Sequence, residues 1–302
     1  MSVPLASSLF DKAKFVLECA HRPFGVRKTY HNDSKDVDTY MPVQVPGPSG
    51  HKVIVQSQHA GCRIMLAGSA IKALTGQNVA GSEDLGLLAE LIYRHILPKV
   101  GVSVGVGIRQ RLVRGEVTVQ GLEITSHAVM KGQQEVVCAL QALRLFLLLS
   151  EDGREAFNDQ TVYVDKSSSV KSLKFYNKWL QLSATGQEAW ESAEFLKEVV
   201  GPLLRIELCL KAKWFNDAGS ALRMVSAWTP ETAQQRLVEE LTKLKLERAA
   251  VAYAGEPLES LSSLNNLVLA LYKLGMPLTD FGGSAWFRNR RAAILEAGGG
   301  GY

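Results

Sequence analysis

Apolar and polar residues alternate most regularly in two stretches of the chain. Between positions 203 and 211, Leu204, Ile206, Leu208 and Leu210 alternate with Arg205, Glu207, Cys209 and Lys211, the period of a strand with one buried face. Between 172 and 178 the same period sends Leu173 and Phe175 to one face and Lys174, Tyr176 and Lys178 to the other. Residues 161–178 thus read as two short strands joined by a polar turn. A second hairpin is predicted from 52–56 and 62–67, which flank a Gly-containing turn. A strand is also expected over 116–125, with Glu116, Thr118, Gln120, Leu122 and Ile124 on one side and Val117, Val119, Gly121, Glu123 and Thr125 on the other. The run 101–107 reads as a strand leading into it, since its glycines lack the Gly-x-Gly-x-x-Gly order of a dinucleotide loop.

Helical spacing dominates elsewhere. A helix is expected at about 9–20, followed by a polar run and a connector rich in turns, with Pro42, Pro46, Pro48, Gly47 and Gly50. Ser82 reads as the cap of a helix with Leu88, Leu91, Ile92 and Ile96 as its apolar stripe, ending near Pro98. Val136, Leu140, Leu143 and Leu147 define a strongly apolar helix over 131–150, suited to packing across a sheet. Further helices are expected at about 186–199, after Thr229-Pro230, and around Leu261, Leu264, Val268 and Leu271. The fold class is α+β, an antiparallel sheet backed by helices with a helical C-terminal region. The expected divisions are a poorly defined segment 1–50, an α+β domain 51–215 and a helical region 216–302.

Composition narrows the class. With 302 residues, 46% of them apolar, the chain can bury one large core or two modest ones. The longest apolar run, 145–149, falls far short of the roughly 18 residues of a membrane span, so a soluble protein with no membrane partner is expected, and the N-terminus shows no secretory pattern. Cys19, Cys62, Cys138 and Cys209 have no paired spacing and read as free thiols in a reducing compartment. A net charge of +4 is compatible with nucleic acid without demanding it. Local clusters say more: four lysines lie between Lys166 and Lys178, and Arg288, Arg290 and Arg291 follow Trp286 and Phe287.

Two groups of residues carry candidate chemistry. A phenol with a pKa near 10 needs cations nearby before it can attack a phosphodiester, and Lys174 and Lys178 flank Tyr176 on one strand face. The same spacing also suits an edge strand with a solvated Lys-Tyr-Lys face. Glu123, placed on a mostly apolar face, needs a partner, and a metal ion is one candidate. His127 follows four residues later, as a possible nitrogen ligand or a hydrogen-bonded bystander.

The run from Ser172 to Lys178 resembles the tyrosine segment of the filamentous-phage gene II protein family of replication initiators. A second match lies upstream: Ser69, Lys72, Leu74, Gly76, Asn78, Val79, Gly81, Asp84 and Leu85 fall in the family's order. The Arg205-Ile206-Glu207 strand and the Arg-rich C-terminal stretch are similar as well. The resemblance implies a rolling-circle endonuclease that nicks and rejoins one strand at a phage origin. Tyr176 would form a covalent 5′-phosphotyrosine, with Lys178 and Lys174 stabilising the phenolate. Mg2+ or Mn2+ would sit on Glu123 and Glu207, with His127 as a further ligand. Lys72, Asn78, Arg205 and Arg288 would hold the backbone of single- or double-stranded DNA. Host replication machinery is the implied partner and the bacterial host cytoplasm the implied location. The chain departs from the family at Gly121-Leu122-Glu123, where an arginine, an apolar residue and an aspartate are usual, and it has no His-x-His pair. A non-catalytic origin-binding or single-strand-binding protein is the alternative.

Overall fold

The computed structural model describes residues 9–244, apart from 33–34, 80, 150–155, 158–159, 184–192, 218 and 220. The strands are β1 (Leu9–Glu18), β2 (Arg27–Asn32), β3 (Lys35–Tyr40), β4 (Val43–Pro46), β5 (Lys52–Gln58), β6 (Arg63–Ser69), β7 (Thr118–Val129), β8 (Ala156–Phe157), β9 (Thr161–Val164), β10 (Lys171–Asn177) and β11 (Leu203–Leu210). The helices are α1 (Ala70–Thr75), α2 (Leu85–Ile96), α3 (Val106–Val113), α4 (Gln133–Leu149), α5 (Lys178–Ser183), α6 (Ala193–Val200), α7 (Ala212–Asp217) and α8 (Pro230–Thr242). Nine strands form one antiparallel sheet in the order β4-β5-β6-β1-β7-β11-β10-β9-β8, and β2 and β3 pair separately. The α+β class follows directly. No helix among the described residues is long and apolar enough to cross a membrane.

One face of the sheet makes the core. Phe10, Phe15, Leu66, Ile124, Phe175, Ile206 and Leu208 are buried there together with Leu88 and Ile92 of α2 and Leu140 and Leu143 of α4. Tyr93 of α2 packs against Phe15 and donates its hydroxyl to the Ile64 carbonyl, 3.1 Å away. The apolar positions expected to face the core from β10 and β11 do so: Leu173, Phe175, Leu204, Ile206, Leu208 and Leu210 all belong to it.

The stretch expected as a helix at 9–20 is instead an interior strand, β1, lying between β6 and β7. The cause is a bulge. Phe10 pairs with Ile124 and Ala13 with Leu122, so Asp11 and Lys12 together stand against the single residue Glu123. The core positions therefore run Phe10, Ala13, Phe15, Leu17, and the first three-residue step imitates a helical period. A second bulge runs the other way. Lys14 pairs with Gly121 and Phe15 with Val119, leaving Gln120 as the extra residue on β7. Val117 and Val119 thus share the core face with Leu122 and Ile124, which corrects the strict alternation expected over 116–125. Glu123 keeps company with Thr125 and His127, not with the valines. Such bulges turn side chains out of register and are frequent beside functional sites.

Three local expectations change for identifiable reasons. Residues 101–107 do not form a strand: Gly101 takes a left-handed φ of 74° after Pro98, and Gly105 caps α3. The cap of α2 is Asp84, which accepts a hydrogen bond from the Leu87 amide at 2.8 Å, while Ser82 shapes the turn before it. β10 is not an edge strand, because β9 and β11 pair on either side of it.

Beyond β11 the chain stays on this sheet. The Val225 amide bonds the Val117 carbonyl at 2.9 Å, Trp214, Phe215 and Trp228 cluster with tilted and edge-to-face rings, and Lys171 of β10 pairs with Glu240 of α8. The expected helix around Leu261–Leu271 and the cluster at Trp286–Arg291 lie outside the described residues.

Candidate active site

The face opposite the core collects polar groups because β7, β10 and β11 are paired in fixed register. Tyr176 stands opposite Arg205 and Arg205 opposite His127; Lys174 stands opposite Glu207 and Glu207 opposite Thr125. The β1 bulge adds Asp11 and Lys12 to this array.

Arg205 is its hub. Its side chain is fully buried, so its charge must be met within the protein. One guanidinium nitrogen donates to Asp11 Oδ2 at 2.8 Å, and another to the Asn78 carbonyl. The third, Nε, stands 2.9 Å from Glu207 Oε1 as an ion pair, although not aligned as a hydrogen bond. Asp11 also accepts from the Ser69 hydroxyl and, at 2.7 Å, from Asn78 Nδ2. Asn78 Oδ1 in turn accepts from Lys178 Nζ at 3.0 Å. Lys178 is not a strand residue but the first of α5, a helix whose Leu180 amide is capped by Asn177 Oδ1.

Tyr176 lies 3% exposed at the floor of this network and donates its hydroxyl to Glu207 Oε1. Lys174 Nζ sits 3.8 Å from the centre of its ring and Lys178 Nζ 6.0 Å. Burial, reinforced by the Glu207 charge against the opposing Arg205, pushes the Tyr176 phenol well above its ordinary value. Burial also works to raise Glu207, but Arg205, Lys174 and the Tyr176 hydroxyl outweigh it and hold that carboxyl below the usual range. Burial and then Arg205 bring Lys178 down to about 7.

Asp11, Glu123 and Glu207 each offer an oxygen within 4.8 Å of the others, all three side chains being buried. Such a set of hard oxygen donors suits Mg2+ or Mn2+. Burial and the neighbouring Glu207 charge push Glu123 up to about 7, even with Lys12 Nζ 2.9 Å and 3.1 Å from its two oxygens. A cation held on these oxygens would favour the charged form of Glu123 against its burial. His127 is outside this trio. Its buried Nε2 has no hydrogen-bond partner, and burial with the Arg205 and Lys178 charges lowers it to about 3.

A cleft of about 310 Å3 opens onto Tyr176 and Glu207, lined by Lys12, His51, Lys52, Lys72 and Lys174 among others. Lys72 of α1 and Asn78 thus both reach the cleft, whereas Arg205 lies beneath it as part of the buried network. Arg288 is outside the described residues. Sequence reasoning missed Asp11, Lys12, His51 and Lys52. The one legible trace of Asp11 was a carboxylate between Phe10 and Ala13, where an alternating core pattern skips a beat.

One polar sheet face thus joins a tyrosine, ammonium groups and a carboxylate trio beneath a basic cleft. The chain belongs to the filamentous-phage gene II-type replication initiators: the family model for the N-terminal part of the gene II replication-associated protein matches residues 9–231. The replication-associated protein of the same type from Enterobacteria phage I2-2 is 23% identical over 303 residues, covering 96% of this chain and 87% of that relative. No solved structure matches.

Proposed function

We propose that this phage replication initiator nicks and rejoins one DNA strand at its origin through a covalent bond between Tyr176 and the 5′ phosphate. The observation that carries the reading is the Tyr176 hydroxyl bonded to Glu207 within reach of Lys174, beside three carboxylates and open to a basic cleft. Asp11, Glu123 and Glu207 would hold a divalent ion, Mg2+ or Mn2+, which when bound supplies Lewis-acid polarisation of the scissile phosphate.

The protein's own part follows from the contacts. In the free state the raised phenol pKa keeps Tyr176 protonated. On attack, its proton passes to Glu207 Oε1, the Oη–phosphorus bond forms, and the bond from phosphorus to the 3′ oxygen breaks. The 3′ oxygen leaves as a hydroxyl with a proton from solvent in the cleft and serves as a primer. Lys174 and Lys178 stabilise the charge on the phenol oxygen as it develops. Arg205, held by Asp11, fixes Glu207 in place. The phosphotyrosine retains the bond energy for rejoining, as rolling-circle synthesis requires. Lys72, with Arg288 in the C-terminal region, contacts DNA backbone and sets register without reading sequence.

In this reading the sheet, together with the segment up to residue 244 that packs on it, carries the reaction, and host polymerase in the bacterial cytoplasm extends the freed end. The test is incubation with labelled origin DNA, with Mg2+ and with chelator, followed by a denaturing gel. A covalent adduct that needs metal and is absent from Tyr176→Phe is the expected result. A salt-sensitive mobility shift with no adduct would instead identify an origin-binding or single-strand-binding protein.

A further inference from the structure

Beside the nucleophile lies a second tyrosine to which the transfer step gives no task. On β9, Tyr163 stands directly opposite Lys174 and so shares the polar face with Tyr176, one diagonal position away. Lys174 Nζ lies between the two rings, 3.8 Å from the centre of Tyr176 and 6.0 Å from that of Tyr163. Lys166 Nζ lies 4.9 Å from the Tyr163 centre.

The turn that returns Lys166 toward this ring is firmly built. Asp165 takes a left-handed φ of 56°, a conformation that aspartate tolerates better than most residues. The Ser168 amide closes back on the Asp165 carbonyl at 3.0 Å, and the Ser168 hydroxyl accepts from the amides of Val170 and Lys171. Lys211, just past the end of β11, donates to the carbonyls of Ser168 and Lys166. A half-buried aromatic ring flanked by two ammonium groups is what a single nucleic-acid strand uses: the base stacks on the ring and the phosphate meets the cation. Diagonal positions on paired strands are about 7–8 Å apart, a separation on the scale of one nucleotide.

We propose that Tyr163 and Lys166 form a nucleotide subsite, stacking the base next to the scissile phosphate on the Tyr163 ring and holding a backbone phosphate on Lys166. Its position next to the scissile phosphate rests on Tyr176 being the nucleophile; the stacking does not.

The test compares the dissociation constants of the full chain for oligo(dT) and for an abasic strand of equal length and charge. Wild type binds the strand with bases more tightly, and in Tyr163→Ala that ratio falls about tenfold, the effect of losing one stacked base. Tyr163→Trp keeps the ratio, and Lys166→Gln weakens both strands alike while lowering the salt slope by about 0.7. The same ratio in wild type and Tyr163→Ala, or a collapsed ratio in Tyr163→Trp, overturns the subsite. If Tyr163→Ala does not fold, the Trp and Gln variants still decide. A wild type that forms no origin adduct but shows this pattern would remove the nicking centre and leave the stacking site standing.

Discussion

The two faces of strands β10 and β11 are built by opposite rules although their residues alternate one by one. Phe175 and Ile206 face a core of other apolar side chains, where attraction is non-directional and scales with area. Tyr176, Arg205 and Glu207 face a network in which each group is held by a named donor or acceptor. A core position can lose a methyl group and settle again, whereas a buried guanidinium has no second arrangement that satisfies it. One sheet therefore carries a tolerant side and an exacting one.

Substitutions on each side sharpen that contrast. Tyr176→Phe should have the largest effect on chemistry: the adduct disappears from the denaturing gel, while the Glu207 oxygen left without its donor lowers stability by about 1–3 kcal/mol. Arg205→Met should be the most damaging to stability. It leaves Asp11 and Glu207 buried without their cation and costs about 3–5 kcal/mol by denaturant titration; a loss under about 1 kcal/mol would mean that Arg205 is not the keystone of the network.

Glu123→Gln tests the same face through pH. With its pKa raised from 4.5 to about 7, the folded protein binds a proton that the unfolded chain releases. Stability from this group is thus fully present below pH 4.5 and is lost as pH rises toward about 7. Melting curves of Glu123→Gln should lack that decline and gain on wild type above neutrality; parallel profiles would sink the assignment. On the tolerant side, Ile206→Val should cost only about 0.5–1.5 kcal/mol and leave any adduct yield unchanged. Lys72→Gln should be the mildest of all, lowering the salt slope of single-strand binding by about 0.7 without altering stability.

The exacting face was partly legible in the sequence. The period of β10 and β11 needs no tertiary information, and it put Lys174 with Tyr176 on one face of the first and Arg205 with Glu207 on one face of the second; only the pairing of the two strands brings these faces together. The match around Lys72 and Asn78 located the loop whose Asn78 bonds Asp11, Arg205 and Lys178. Asp11 was hidden because a bulge is a relation between two strands, and a single chain shows it only as a break in period. That break made 9–20 look helical, and the second bulge, at Gln120 of β7, set Glu123 among valines. Lys178 was found for the wrong local reason: it reaches the site from the start of a helix, and Asn78, a hundred residues earlier, holds its amine.

The ion pair between Asp11 and Arg205 joins residues 194 positions apart. Strand β1 leaves the ribosome before the rest of the sheet but finds one neighbour, β7, only after more than a hundred further residues, and the partner of its carboxylate only after β11 is made. Pairings of such long range close late and slowly. A half-synthesised chain thus contains neither the assembled carboxylates nor a fixed Glu207, and the carboxylate trio arrives only with the finished sheet.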